Sequence, residues 1–218
     1  MTRRTPAQDR GRRTQQLIIA GASKVFEFKG YAAATLGEIA DSSGISQGSM
    51  YFHFKTKEQI ALAVIQEQHD RMYTKVEEAM ADKADPLVQL IYASRAIAQL
   101  LIDDVVVRAG INLALGQGAV REASARSYAA WTSGVSHLFQ EARATGILDT
   151  QLPLENLAQS LVAHFTGIQL MSQATTERRD LVARLGDMWQ IFIDANVLHE
   201  RRIPYHMAIR RTFQETGH

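Results

Sequence analysis

Residues 35 to 54 constrain the fold most, because this short stretch spells a helix, a glycine turn and a second short helix. Thr35 stands where it caps the first helix, and Glu38, three residues on, returns a bond to its backbone, the reciprocal pattern of a capping box. Ile39 and Ala40 face inward in this reading, and Ala40 is small where a second helix must cross closely. Gly44 supplies the left-handed conformation that ends a helix and begins a turn. Ile45 and Met50 fill the angle between the helices. Ser46 caps the second helix, which sets Gln47, Gly48, Ser49 and Tyr51 at or near its N-terminal end, the end that enters a major groove. An ordinary αα-corner shares the glycine, yet the small residue, the glycine and the apolar positions fall together at helix-turn-helix spacing.

The flanking residues sharpen this expectation. Thr56 to Gln59 repeat the capping-box pattern and open a long helix with Lys57 in its first turn, near Tyr51 and His53. A cation there opposes the helix dipole. A DNA phosphate would justify it, and a solvated lysine is the plainer reading. The net charge of the whole chain is only +1, but residues 1–60 carry +4 and residues 61–218 carry −3. Arg3, Arg4, Arg10, Arg12 and Arg13 concentrate the positive charge in an N-terminal arm, suited to phosphate contacts or merely to solubility.

At 218 residues and 46% hydrophobic content the chain has ample material for a buried core. Without cysteine there is no disulfide scaffold, thiolate metal site or cysteine nucleophile. No segment reads as a signal peptide or bilayer span, so a soluble cytoplasmic protein without membrane contact is expected.

The four prolines are widely spaced, and the intervals between them run at helical period, which predicts an all-α chain. A helix from about Arg10 to Lys29, with Leu17, Ile18, Gly21, Ala22, Val25 and Phe26 on one face, stops at Gly30. From Lys57 to about Met80, Ile60, Val64, Gln68, Met72 and Val76 form a stripe with one polar residue in its middle. Further helices start at Asp85-Pro86, after Asp103-Asp104, near Glu122 and at Pro153, with a loop at Gly116–Gly118 and a turn at Gly146. In the segment from Arg178 to Leu198, Leu181, Leu185, Met188 and Phe192 form one stripe and Trp189, Ile193 and Val197 a second. So broad an apolar surface predicts a homodimer through the last long helices, or else a large monomeric core. The expected organisation is an N-terminal three-helix helix-turn-helix DNA-binding domain over residues 1–55 and a larger helical ligand-binding and dimerisation domain over 56–218.

The Gly30-Tyr31 turn, Thr-Leu-Gly-Glu-Ile-Ala at 35–40, Gly44-Ile45-Ser46-Gln47-Gly48, and Tyr51-Phe52-His53-Phe54 with Lys57-Glu58 resemble the TetR family of bacterial repressors. Val107-Arg108-Ala109-Gly110 followed by Leu113-Ala114, Trp131, and Met188-Trp189 further resemble its γ-butyrolactone receptors. The resemblance implies a helical dimer that occupies a palindromic operator on double-stranded DNA and releases it when a small-molecule effector binds. It places Thr35, Ser46, Gln47, Gly48, Tyr51, His53 and Lys57 at or beside DNA, with Tyr51, His53 and Lys57 on phosphates. Several relatives carry lysine at the position of Gln47; lysine reads guanine, whereas glutamine pairs with adenine. For the effector the resemblance points to Trp131, Gln68 and Thr166. Each also has a plain structural reading, as a core tryptophan, an exposed glutamine and a helix hydroxyl bonded to its own backbone. Arg108 reads as a structural ion-pair partner and His164 as an ordinary core or surface histidine. A repressor of another effector class (antibiotic, acyl thioester or aromatic compound) and an architectural DNA-binding protein are the competing readings.

Catalysis is not expected, and neither are a metal or a cofactor. Gly44 to Gly48 fit G-x-S-x-G, but a nucleophile elbow needs a buried strand before the serine, and here a capped helix precedes it. The seven histidines show no metal-ligand spacing.

Overall fold

In a computed structural model, which describes residues 6–113 and 119–214, the chain is all-α. The helices are α1 (Pro6–Ala33), α2 (Leu36–Ser43), α3 (Gln47–His53), α4 (Lys57–Met80), α5 (Pro86–Asp103), α6 (Val105–Leu113), α7 (Ala119–Ala144), α8 (Leu154–Thr176), α9 (Leu181–Asn196) and α10 (Ile203–Phe213). Among the described residues no helix is long and apolar enough to cross a membrane. Arg3, Arg4 and the Gly116–Gly118 loop lie outside the described residues. Arg10, Arg12 and Arg13 do not form an extended arm, because α1 already begins at Pro6.

Two compact units emerge, residues 1–72 with 103–126, and residues 73–102 with 127–218. In the first, α1 crosses α2, and Ile18, Ala22, Phe26, Ile39, Ala40 and Met50 form its core with Ile60, Ala61 and Val64 of α4. Val106 and Ala109 of α6 join the same core. Leu17 departs from the expected face and is 44% exposed, since the helix turns its Ile18 and Gly21 edge inward. Gly21 permits the crossing: a Cβ there would stand 2.7 Å and 2.8 Å from the backbone N and Cα of Ser43. Gly30, at φ 75°, ends the regular part of α1 as its sequence position suggests.

In the second unit α9 is central. Trp189 donates its indole N–H to Ser94 of α5 at 2.7 Å, and Phe192 stacks on Phe139 of α7 with centroids 5.4 Å apart. Phe213 of α10 lies over Gly186. Both predicted stripes of α9 are therefore buried inside the chain, Leu181, Leu185 and Ile193 completely. This corrects the expectation that the breadth of this surface demands a second subunit: α5, α7, α8 and α10 cover it from several sides. α10 is an element that the apolar pattern does not reveal, though Pro204 in its first turn is a normal helix start. It is pinned by the Tyr205 hydroxyl, which donates to Asp85 Oδ2 at 2.7 Å; burial, then Asp85, pushes the phenol pKa up.

Replacing Gly21 by alanine tests the α1–α2 crossing. Alanine gains about 1 kcal/mol of helix propensity, but contact with the backbone of Ser43 costs more, so a net loss of about 1–2 kcal/mol is expected. Denaturant unfolding checks this, with Gly134→Ala, where a Cβ meets nothing within 4 Å, expected not to destabilise.

Candidate nucleic-acid interface and effector residues

The reading element is built from its caps. The Thr35 hydroxyl accepts from the Glu38 N–H at 3.3 Å, and Glu38 Oε2 accepts from the Thr35 N–H at 3.1 Å, closing the capping box of α2. Lys29 pairs with the same carboxylate, and this, followed by the Thr35 bonds, holds Glu38 below the usual carboxylate range. Gly44 ends α2 at φ 64°, its N–H reaching back to the Ala40 and Asp41 carbonyls. Ser46 then caps α3 by accepting from the Ser49 N–H at 3.3 Å. That bond places the Ser46 hydroxyl in a helix cap, with a helix rather than a strand before it, so the G-x-S-x-G match lacks an elbow's geometry.

The caps leave the first turn of α3 facing solvent. Ser46, Gln47 and Gly48 are exposed, Tyr51 is 44% exposed, and Met50 at the back is fully buried. Thr35 is exposed and His53 half-buried. A Cβ on Gly48 would meet nothing within 4 Å, so packing within the chain does not require glycine there.

Lys57 is not the solvated lysine of the plainer reading. Its ammonium donates to the carbonyls of Tyr31 at 2.7 Å, Ala34 at 2.8 Å and Ala32 at 3.2 Å, and lies 4.7 Å from the Tyr31 ring centre. The second capping motif is also shifted. Thr56 accepts from the Gln59 N–H at 3.1 Å, but the Gln59 side chain accepts from Lys55, one residue earlier than in a capping box, at 2.7 Å. Lys55, outside the sequence motifs, is exposed just after α3, and its ammonium donates to the Tyr51 carbonyl at 2.6 Å. Its adjacency to Tyr51 and His53 was the signal that could have found it.

The effector candidates fall in both units: Gln68 in the first, Trp131 and Thr166 in the second. Gln68 is not an exposed glutamine. It is 3% exposed, its amide N–H points to Met72 Sδ, and Gly110 of α6 leaves the room it fills, since a Cβ there would stand 2.7 Å from Gln68 Cγ. Trp131 is half-buried and stacks on Tyr73 at 4.8 Å with the rings 8° from parallel, so it is not an enclosed core tryptophan. Thr166 takes the plain structural role: its hydroxyl donates to its own helix at Val162, at 2.8 Å. One turn on, Gln169 is buried and its carbonyl oxygen has no partner, an orphan acceptor on the inward face of α8 that periodicity alone cannot distinguish from a solvated residue. Arg108 is an ion-pair partner, of Glu27 on α1, and His164 is exposed. A cleft of about 530 Å³ between α7 and α8 is lined by polar groups, Thr132, Ser136, His137 and Gln140 among them. Neither Trp131 nor Thr166 lines it.

The sequence model of the bacterial regulatory proteins of the tetR family matches residues 18–64, and that of the tetracyclin repressor-like C-terminal domain matches residues 84–198, more than half of the chain. The chain belongs to the TetR family. This TetR-family chain is 30% identical over 183 residues to the A-factor receptor protein of Streptomyces griseus. The match covers 84% of the chain but only 63% of that receptor's length. A crystal structure of a γ-butyrolactone receptor, an ArpA-like protein, aligns with a TM-score of 0.80 at 27% identity, over 95% of this chain and all of the other. CprB from Streptomyces coelicolor, a TetR-family protein solved in complex with its biological operator sequence, aligns with a TM-score of 0.82 at 26% identity, over 95% of this chain and 100% of CprB. These relatives are regulators or receptors, not enzymes.

Replacing Gly48 by alanine separates folding from recognition. The folded chain is expected to keep or gain stability, by up to about 1 kcal/mol. DNA affinity should fall, because the added methyl occupies the space an approaching duplex needs. Thermal unfolding and a mobility shift on the same preparation check both.

Proposed function

We propose that the protein is a ligand-responsive transcriptional repressor of the cytoplasm, which binds a palindromic operator as a homodimer and is released by a γ-butyrolactone or a related small signalling molecule. The observation that carries the DNA reading is the exposed first turn of α3, with Gln47 and the open backbone of Gly48 held outward by buried Met50 and the caps on either side. Gln47 is the base-reading residue. Ser46, Tyr51, His53 and Thr35 hold phosphates around it, and Lys55 adds a positive charge at the end of α3.

A small neutral effector with an alkyl tail requires a mostly apolar cavity with a few directed polar groups. In the second unit Trp131 with Tyr73 offers a flat aromatic wall and Gln169 a buried acceptor awaiting a donor; in the first unit Gln68 offers a buried amide. The hydroxyl of Thr166, also in the second unit, keeps a free lone pair for a ligand. Gln68 supports a route for release because it lies on α4, whose first turn follows the reading helices in the chain. A hundredfold loss of operator affinity needs about 2.8 kcal/mol of differential binding, an ordinary allosteric coupling.

For the homodimer, the two apolar stripes of α9 are already covered, and the surface available to a partner is the outward face of α8 together with Ile191 of α9, which is 62% exposed. On α8, Ser160, Ala163, Gly167 and Leu170 stand exposed at three- and four-residue steps, beside Met171, which is 58% exposed. Small residues of this kind let a twofold-related copy of the helix approach closely, and a twofold axis would present two reading heads to a palindrome.

The test is a mobility shift, at defined salt, on a DNA fragment from upstream of the protein's own gene, with and without γ-butyrolactones and furan or butenolide signals. Specific binding released by one of these at low concentration is the expected result. Specific binding that none of them releases would move the effector to another class, and binding without sequence preference would remove the repressor reading. Gln47→Ala should weaken the specific complex by about 1–3 kcal/mol and relax preference at one base position. Gln68→Ala should raise the effector concentration needed for release at least tenfold, while operator affinity without effector stays close to wild type.

A further inference from the structure

We propose that Lys57 is a latch that fixes the reading helices against the start of α4, and not a contact to DNA phosphate. This rests on the DNA-reading assignment of α3 above. An ammonium has three protons, and here each has a carbonyl: Tyr31 at 2.7 Å, Ala34 at 2.8 Å and Ala32 at 3.2 Å. Those carbonyls lie beyond the break in α1 at Gly30, in its last turn and in the step to the α2 cap, where helix ends leave acceptors without intrahelical partners. The three converging carbonyl dipoles offset the unfavourable place of the charge in the first turn of α4. The Tyr31 ring 4.7 Å away closes one side of the ammonium, and Tyr31 in turn meets Phe26 of the core with ring centres 5.8 Å apart.

The latch joins residues 23 to 26 positions apart in sequence. Its upper end is the first turn of the long helix, and its lower end is the segment 31–34 that runs directly into Thr35, whose capping box sets the start of α2. A shift of the first turn of α4 therefore pulls on the cap of α2, and through the Gly44 turn on α3. A phosphate contact by the same ammonium would have to break one of the three bonds and release that segment.

The full-length protein is compared with its Lys57→Met and Lys57→Arg variants in two measurements. One is amide hydrogen exchange without DNA. The other is binding, across a range of salt concentrations, to a duplex that the wild-type protein itself enriches from a random pool. The latch predicts faster exchange over residues 31–44 in both variants, at least tenfold weaker binding, and an unchanged slope of log affinity against log salt. Arginine does not restore it, because a planar fork cannot direct three donors from one atom to three converging carbonyls. A phosphate contact predicts unchanged exchange, a slope shallower by about 0.9 for Lys57→Met, and wild-type binding for Lys57→Arg. Faster exchange with an unchanged slope supports the latch, and any other pairing overturns it. If Lys57→Met does not fold, Lys57→Arg carries both measurements. Failure of the DNA-reading assignment shows separately, as a wild-type protein that enriches no sequence, and the exchange result then decides the latch by itself.

Discussion

The first unit depends on how closely its helices can approach, and two glycines set that distance. At Gly21 the backbone of α1 comes near enough to Ser43 that no side chain fits between, and the Ser42 hydroxyl donates across the crossing to the Gly21 carbonyl at 3.2 Å. At Gly110 the same device lets α6 lie against the buried side chain of Gln68. Between these contacts Ile18, Ala22, Ile39 and Met50 are sealed from water, and burial of that order, about 1.5–3 kcal/mol for each large aliphatic side chain, stabilises the unit far more than its surface ion pairs do. The exposed turn of α3 is backed by that crowded face, with Met50 fully buried behind it.

Local rules made the reading unit legible in the sequence. A capping box, a left-handed glycine and a serine cap act over three or four residues, so the pattern from Thr35 to Met50 determines geometry almost without tertiary context. Lys57 and α9 mark where such reasoning stops. The partners of Lys57 are carbonyls more than twenty residues away, and a carbonyl carries no trace in the identity of its residue. Hydrophobic breadth on α9 was visible, but periodicity counts faces that need covering and does not say whether the cover comes from the same chain. Here it does, in part from α10, whose mixed composition hides its role.

The effector residues show the same division in smaller compass. Gln68 stands out in the sequence as a polar break in an apolar stripe, and burial gives that break physical weight. Gln169 does not stand out, because a glutamine on a helix with polar neighbours reads as solvated. Only the inward turn of α8 makes its carbonyl an orphan, at a desolvation cost of about 1–3 kcal/mol that a ligand or a water would offset. Thr166 differs from both, since a helix hydroxyl has a carbonyl four residues back within reach whatever else surrounds it.

The grouping of α6 with the reading helices bears on how a bound effector would act. Arg108 of α6 pairs with Glu27 of α1, and Asp104, which also caps α6 by accepting from the Val106 N–H, pairs with Arg71 of α4 at 2.7 Å. Arg71 is shared with Glu67 on its own helix, and the carboxylates raise its pKa despite burial, so the charge stays on. α6 is thus bonded to α1 and to α4 at once. A displacement of α6 would load both helices, and α4 could not tilt alone without breaking the Arg71–Asp104 pair or opening the Gln68–Gly110 contact. For the proposed release of the operator this favours a concerted movement of α1, α4 and α6 over a single swinging helix, with the Lys57 bonds as the last link before the cap of α2.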